Sequence, residues 1–400
     1  MNTTPNANRI HITLVGKTNS GKSSLMNAVI GQDISIVSPI EGTTTDPVSK
    51  AMELIPLGPV LFIDTAGLED NSELGKARVE KTLNTFLKTD FAIYVMSAED
   101  IDIELYKNTT DKFKKQNISY ITVVNKIDTV DKNKLYEIEK LIKDCVFVSS
   151  NDVNSILNLK DILIQKLNEV KEDDTIIGKL LPYNSKVVMV VPIDSEAPKG
   201  RLILPQVQLI RDCLDHGIKS YIVRDTELQS ALNDIKNIDL VVTDSQAFKK
   251  VSKIVPANIK LTSFSILFAN YKSDLKTFVE GTKAIETLDE NSKILISESC
   301  THNYSHEDIG RIKIPNMINS HVDKKLHYEF KMGGDFPQNV DKYDLVIHCG
   351  ACMVNKKTMD SKLKLCKEKN IPITNYGILI SYLTDILDRS IEIFNIKQSF

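Results

Sequence analysis

The chain has 400 residues, 42% of them hydrophobic and 26% charged, with a formal net charge of −3. That length exceeds one ordinary hydrophobic core, so two or three domains are expected. Interspersed acidic and basic residues argue against the strongly basic face of a dedicated nucleic-acid binder. No apolar run reaches the roughly 18 residues of a spanning helix, and Met1–Arg9 lacks the apolar stretch of a secretory signal. A cytoplasmic protein with neither nucleic acid nor membrane as partner is expected.

In chain order, Ile10–Val15 reads as a strand, Lys22–Ile30 as a helix and Val60–Asp64 as a second strand. Asp90–Met96 and Tyr120–Asn125 read as further strands, and Ile156–Val170 as the last helix before a charged linker at Lys171–Asp174. Strands alternating with helices predict a parallel sheet covered on both faces. A second alternating segment has strands at Lys186–Pro192, Ile218–Arg224 and Asp239–Thr243. A third has strands at Lys293–Glu298, Asp344–His348 and Ile371–Thr374, closed by a helical region over Ile378–Ile396. The expected fold class is α/β in three domains: a P-loop parallel-sheet domain at 1–172, a middle α/β domain at 180–272 and a C-terminal α/β domain at 273–400.

Gly16-Lys17-Thr18-Asn19-Ser20-Gly21-Lys22-Ser23 fits G-x-x-x-x-G-K-[ST] directly between a strand and a helix. Backbone N–H groups of such a loop, from Gly16 through Ser24, point at phosphates, and the helix N-terminus adds a favourable field. Lys22 is expected on the β- and γ-phosphates and the Ser23 hydroxyl on Mg²⁺. Asp64-Thr65-Ala66-Gly67 ends a strand, where Asp64 can reach Mg²⁺ through water and the Gly67 N–H the γ-phosphate. Asn125-Lys126-Ile127-Asp128 ends another strand, and the Asp128 carboxylate can accept two N–H groups that guanine offers and adenine lacks. The expected activity is hydrolysis of GTP to GDP and phosphate.

These motifs, with Gly42-Thr43-Thr44-Thr45-Asp46 between them, resemble the G motifs of translation-factor-related GTPases, close to the branch of MnmE and Era. The resemblance implies Thr44 as the switch threonine on Mg²⁺ and Ser149, in Val148-Ser149-Ser150, as a base-loop residue. Ser150 stands where most relatives carry alanine. Asn19 matches the loop asparagine that helps hold K⁺ in the MnmE branch, and a cation there can do the electrostatic work of an arginine finger. Leu68 stands where Ras-like proteins carry a water-orienting glutamine, so slow, K⁺-stimulated hydrolysis is expected.

Of six cysteines, Cys145, Cys213 and Cys366 stand alone in apolar patterns and read as packing residues. Cys300-Thr301-His302 and His348-Cys349-Gly350-Ala351-Cys352 each follow a predicted strand. If both strands share one parallel sheet, the two motifs meet at its carboxyl edge, where open α/β sheets build sites. Spacing alone leaves three chemistries open: a Cys349–Cys352 redox pair, a Cys₃His zinc site, or an iron–sulfur cluster on three thiolates.

A GTPase segment, a middle α/β segment and a terminal C-x-H…H-C-x-x-C together resemble the FeFe-hydrogenase maturation GTPases of the HydF family. The stretch Asp194–Gln206 (DSEAPKGRLILPQ) looks like that family's S-A-P-K-G-R-L-I-L-P-Q, with Glu196 as the departure. The resemblance implies a homodimeric scaffold that holds a 4Fe–4S cluster through Cys300, Cys349 and Cys352, with His302 and His348 at matching motif positions and His306 and Glu307 nearby. It implies a transient diiron precursor as cargo, the radical-SAM maturases HydE and HydG as suppliers and apo FeFe-hydrogenase as recipient. The alternative from a different class is a zinc-stabilised MnmE/Era-like GTPase acting on tRNA or ribosomes; a redox-sensing GTPase with a reversible disulfide is a third.

Overall fold

The computed structural model describes residues 4–31, 47–68, 81–170, 174–193, 200, 202–299, 308–333, 336–337, 339 and onward to 396. Thr44, Lys199, Arg201, Cys300, His302, His306 and Glu307 lie outside the described residues. The chain forms two compact units, Met1–Glu172 and Asp173–Phe400.

The first unit is built on a six-stranded sheet in the order β2-β3-β1-β4-β5-β6. Its strands are β1 (Ile10–Val15), β2 (Val48–Leu54), β3 (Gly58–Asp64), β4 (Phe91–Ser97), β5 (Ser119–Asn125) and β6 (Cys145–Phe147). All pairs are parallel except β2 with β3. Both faces are covered, and the two-residue period of the strands shows it. Ile12, Leu14, Ile93 and Val95 enter one core with the Ile156, Leu159, Leu163 and Leu167 stripe of helix Val153–Val170. Val15, Ala92, Tyr94 and Met96 enter the other, with Phe86 and Phe113. Strands buried on both faces read as continuous apolar runs, which is why β1 and β4 are plain in the sequence. β2 (VSKAMEL) is a half-buried antiparallel edge and carries no such run.

The second unit contains two four-stranded, wholly parallel sheets, ordered β10-β9-β7-β8 and β12-β11-β13-β14. The first comprises β7 (Lys186–Val190), β8 (Lys219–Val223), β9 (Leu240–Thr243) and β10 (Lys260–Ser263). The second comprises β11 (Lys293–Glu298), β12 (His327–Met332), β13 (Leu345–His348) and β14 (Ile373–Asn375). Helix Phe264–Lys272 leaves β10 with Ser263 as its N-cap, the hydroxyl accepting from the Ile266 N–H at 3.3 Å. It serves both sheets: Phe264, Leu267 and Phe268 pack into the core of the first, Ile266 and Ala269 into that of the second.

Leu204–Asp215 is a helix whose first turn uses Pro205 and Gln206. The buried Gln206 side chain accepts from the Ile203 N–H at 3.0 Å and donates to Asp244 at 3.2 Å. The end of the family-like stretch is thus a helix start; residues 194–199 and 201 of it lie outside the described residues. The predicted closing helix divides in two, Tyr376–Leu383 and Leu387–Ile391, around a left-handed Asp385 (φ 59°). Among the described residues no helix is long and apolar enough to cross a membrane.

Candidate nucleotide and cysteine sites

In the first unit the loop between β1 and helix Lys22–Ile30 is pressed against its neighbours. Gly21 caps the helix at φ 87°, and a Cβ there would meet Asn125 Nδ2 at 2.3 Å. A Cβ on Gly67 would meet the Thr18 hydroxyl at 2.1 Å, so only glycine lets the 64–67 turn lie on the phosphate loop. Asn125 ties the end of β5 to that loop: its Nδ2 donates to the Ser20 and Gly21 carbonyls, each at 3.4 Å. Its Oδ1 accepts from the Ser150 N–H at 3.3 Å and the Ser150 hydroxyl at 3.0 Å. A serine at position 150 therefore adds a hydrogen bond that alanine would not.

Lys22 is folded onto its own loop, donating to the Gly16 carbonyl at 3.2 Å and the Lys17 carbonyl at 2.7 Å. Burial lowers its amine to about 8, against an opposing pull from Asp64. Burial also pushes the Asp64 carboxyl up, offset by the Ser23 hydroxyl, which donates to Oδ2 at 2.5 Å. The buried Asp64 Oδ1 and Ser20 Oγ have no hydrogen-bond partner among the described residues. Orphaned buried oxygens beside a buried cation and a serine fit a loop shaped for phosphate and Mg²⁺.

Around the base position, Lys126 is left-handed (φ 62°) and donates to Glu99 at 3.2 Å. The exposed Asp128 carboxyl is held below its usual range by the Ser149 hydroxyl first, with backbone and Asn151 bonds assisting. Asn19 is exposed at φ 61°, and Ser24 is half-buried in the first helical turn. Leu68 packs against the core under β4 while its N–H meets the Gly16 carbonyl at 3.3 Å. Position 68 thus carries an apolar packing group.

In the second unit β11 lies between β12 and β13, so the carboxyl ends of β11 and β13 form the switch point where such sheets bind ligands. Ser297 pairs with His348 in register. The Cys349 N–H donates to the Ser297 carbonyl at 3.0 Å, and the Ser299 N–H donates to Cys349 Sγ at 3.2 Å. Ser299 is the residue before Cys300. The expected meeting of the two motifs at one sheet edge is thus visible as far as Ser299. Cys349 and Cys352 are free thiols of one turn, in which Ala351 is left-handed (φ 57°). Burial pushes Cys352 up to about 11. Among the described residues no group of three or more His, Cys, Asp or Glu comes together.

His348 is fully buried, and both ring nitrogens are engaged. Nδ1 donates to the Cys349 carbonyl at 2.9 Å, so Nε2 accepts from Lys362 Nζ at 2.9 Å. Burial first, and then Lys362, hold the ring well below its ordinary pKa, as a neutral imidazole. In this arrangement the Nε2 lone pair belongs to Lys362 and is not offered to a metal. Lys272, from helix Phe264–Lys272, also reaches the loop, donating to the Ala351 carbonyl at 2.7 Å and the Val354 carbonyl at 2.8 Å. Burial lowers both lysines to about 8, opposed by cysteine charge: Cys352 and then Cys349 at Lys272, Cys349 and then Cys366 at Lys362.

Neither lysine stands out in a motif reading. For Lys362 a signal existed: Met359, Lys362, Leu363 and Cys366 form the buried stripe of helix Lys356–Glu368 at helical spacing. The bland readings of other residues agree with their surroundings. Cys213 and Cys366 are buried thiols raised to about 12, His11 sits between the Lys88 and Asn6 carbonyls, and His321 meets Glu286 at 2.8 Å.

The phosphate loop, the Asp64 turn and the Asn125–Asp128 base loop on a parallel-rich sheet define a P-loop GTPase domain. Residues 11–126 match a family described as 50S ribosome-binding GTPase. The tRNA modification GTPase MnmE of Mesoplasma florum is 33% identical over 177 residues, 43% of this chain and 37% of that protein. GTPase Der of Wolinella succinogenes is 36% identical over 141 residues, 34% and 29% of the two chains. The chain thus spans less than half the length of these curated relatives. An Era variant of Aquifex aeolicus bound to GDP and aluminium fluoride is similar at a TM-score of 0.36 and 18% identity, over 54% of this chain and 93% of that one. Residues 176–273 match the hydrogen maturase F dimerization domain, and residues 276–393 the hydrogen maturase F tetramerization domain. With more than half of its length matched by these two domains behind a GTPase domain, the chain belongs to the hydrogen maturase F family.

Proposed function

We propose that this chain is a GTP-hydrolysing scaffold and carrier in the maturation of FeFe-hydrogenase. In this reading residues 1–172 bind GTP and Mg²⁺, 180–272 serve dimerisation and 273–400 hold a 4Fe–4S cluster through Cys300, Cys349 and Cys352. Lys22 contacts the β- and γ-phosphates, Ser23 and Thr44 ligate Mg²⁺, Asp64 reaches Mg²⁺ through water, and the Gly67 N–H meets the γ-phosphate. Asp128 and Ser149 read guanine. The cargo is a diiron precursor supplied by HydE and HydG and passed to apo-hydrogenase, with GTP hydrolysis governing partner exchange.

One observation carries the cluster reading: Ser299, one peptide step before Cys300, already hydrogen-bonds Cys349 Sγ, in a chain of the hydrogen maturase F family. The donor set fits the group. Two free thiols of one turn, with two buried lysines beside them, suit an anionic thiolate-held centre. When bound, the cluster would supply an iron–sulfur centre on which a further metal fragment could be carried. For His348 the geometry favours a supporting role through Lys362 over iron ligation.

The test is anaerobic reconstitution with iron and sulfide, followed by metal analysis and EPR of the reduced protein. A 4Fe–4S signal lost in Cys300→Ala and in Cys349→Ala is the expected result. Stoichiometric zinc without a cluster signal would overturn the reading in favour of a zinc-stabilised GTPase acting on RNA. Hydrolysis is expected to be slow, because Leu68 offers no group to orient water, and faster in KCl than in NaCl through Asn19. Equal rates in the two salts would remove the potassium site from the proposal.

A further inference from the structure

The loop bearing Cys349 and Cys352 is fastened by a residue outside both cysteine motifs. Lys272 ends the helix FSILFANYK and is its one charged residue. The residue is 2% exposed, and its ammonium group donates to the carbonyls of Ala351 at 2.7 Å, Val354 at 2.8 Å and, at the outer limit, Cys352 at 3.5 Å. A lysine ammonium has three donors, and the loop offers an acceptor for each. Ala351 holds the left-handed conformation at φ 57°, which is unfavourable for a residue with a Cβ. The shortest of the three bonds falls on the carbonyl of that residue.

A buried cation is costly unless charge of the opposite sign compensates it. Carbonyl dipoles compensate in part. The small cavity beside Lys272 is lined by Cys349, Gly350, Ala351, Phe268, Phe278 and Met359, with no carboxylate among the described residues of its wall. Within that lining the group able to carry a full negative charge is the Cys349 sulfur, and Cys352 is the second ionisable sulfur acting on Lys272.

We infer that Lys272 is a positioning residue for an anionic, thiolate-held centre at Cys349 and Cys352, fixing the turn that presents both sulfurs and keeping a positive charge beside them. The inference rests on the reading that these sulfurs hold an iron–sulfur cluster. It also means that the cysteine turn, carried by one sheet, is anchored by a helix that starts from β10 of the other. A positive charge at this distance favours the more negative, reduced cluster, and a fixed turn slows release of iron.

The experiment compares the full chain with Lys272→Met, Lys272→Gln and Lys272→Arg after anaerobic reconstitution. Midpoint potentials are read by EPR-monitored redox titration and iron release by transfer to a chelator. Met and Gln are expected to lower the midpoint, and Arg, which keeps the charge, to hold it near the wild-type value. Iron release in Lys272→Met is expected to quicken by about ten- to a hundredfold. Wild-type midpoints in both Met and Gln, with unchanged thermal melting, would overturn the inference and leave the cluster reading intact. A wild-type chain that takes up no cluster would overturn both. If Lys272→Met fails to fold, Lys272→Gln, which keeps a donor without the charge, decides the matter.

Discussion

The phosphate loop and the cysteine loop are built alike and supported differently. Both follow a parallel strand at the carboxyl edge of a sheet, and both enclose a buried lysine that hydrogen-bonds loop carbonyls. In the phosphate loop that lysine, Lys22, is part of the motif and returns to the carbonyls of Gly16 and Lys17, six and five residues away. In the cysteine loop it is Lys272, 79 residues before Ala351. A local lysine can release its carbonyls and turn to an incoming phosphate without disturbing anything else. A distant one is held by a helix packed into two cores, and releasing it means loosening both. One arrangement suits a ligand that comes and goes; the other suits a resident group.

This contrast can be tested from the larger effect to the smaller. Lys22→Ala removes the charge proposed to meet the phosphates and should lower GTP hydrolysis on the order of a hundredfold or more. Phosphate release measures it, and iron bound per chain after reconstitution should stay at the wild-type level. A matching fall in iron would mean the two loops do not work separately.

The second test concerns support within the cysteine loop. His348→Leu leaves the buried Lys362 ammonium without its ring acceptor and should cost about 3 kcal/mol in urea unfolding. Adding Lys362→Met removes the stranded charge and should restore most of that loss, as buried polar pairs replaced by apolar residues often do. Strictly additive losses in the double variant would contradict the coupling. The smallest effect is at Ala351, where Ala351→Gly relieves the left-handed backbone and should raise stability by about 0.5–1 kcal/mol. A loss of stability there would show that the methyl group, 5% exposed, matters more than the backbone.

The same division between local and distant support explains what could be read in the sequence. Helix Lys22–Ile30 and strands β1 and β11 have the predicted bounds, because two-sided burial or a phosphate motif marks them within a few residues. β2, β6, β10 and β12 were not predicted. β2, β10 and β12 lie at sheet edges, and β6 is both an edge and three residues long. Half-buried edges mix polar and apolar residues: β12 reads HYEFKM, with no residue fully covered.

The expected nucleotide residues can be named one by one from motif spacing, although Thr44 among them lies outside the described residues. The cysteine loop was legible as a motif, but its supports were not. Lys272 looks like the solvent-facing end of an apolar helix, and only the packing of two sheets turns it inward. His348 stands at a family motif position beside Cys349, and the sequence leaves its ligand role open. Its ring nitrogens were claimed by a carbonyl and by a lysine fourteen positions on, a pairing that chain spacing alone does not reveal.

Helix Phe264–Lys272 also bears on how such a chain can be divided or recombined. The dimerization match ends at residue 273 and the tetramerization match begins at 276, as if the two were exchangeable modules. Yet Ile266 and Ala269 fill the core of the later sheet, and Ile393 returns to fill the core of the earlier one. A fragment cut between the matches would lose interior side chains from both halves and the anchor of its cysteine turn. Anyone transplanting the cysteine sheet into a new host should therefore carry it from residue 264 and keep the chain through 394, and should expect homologous chains to exchange this whole block or none of it.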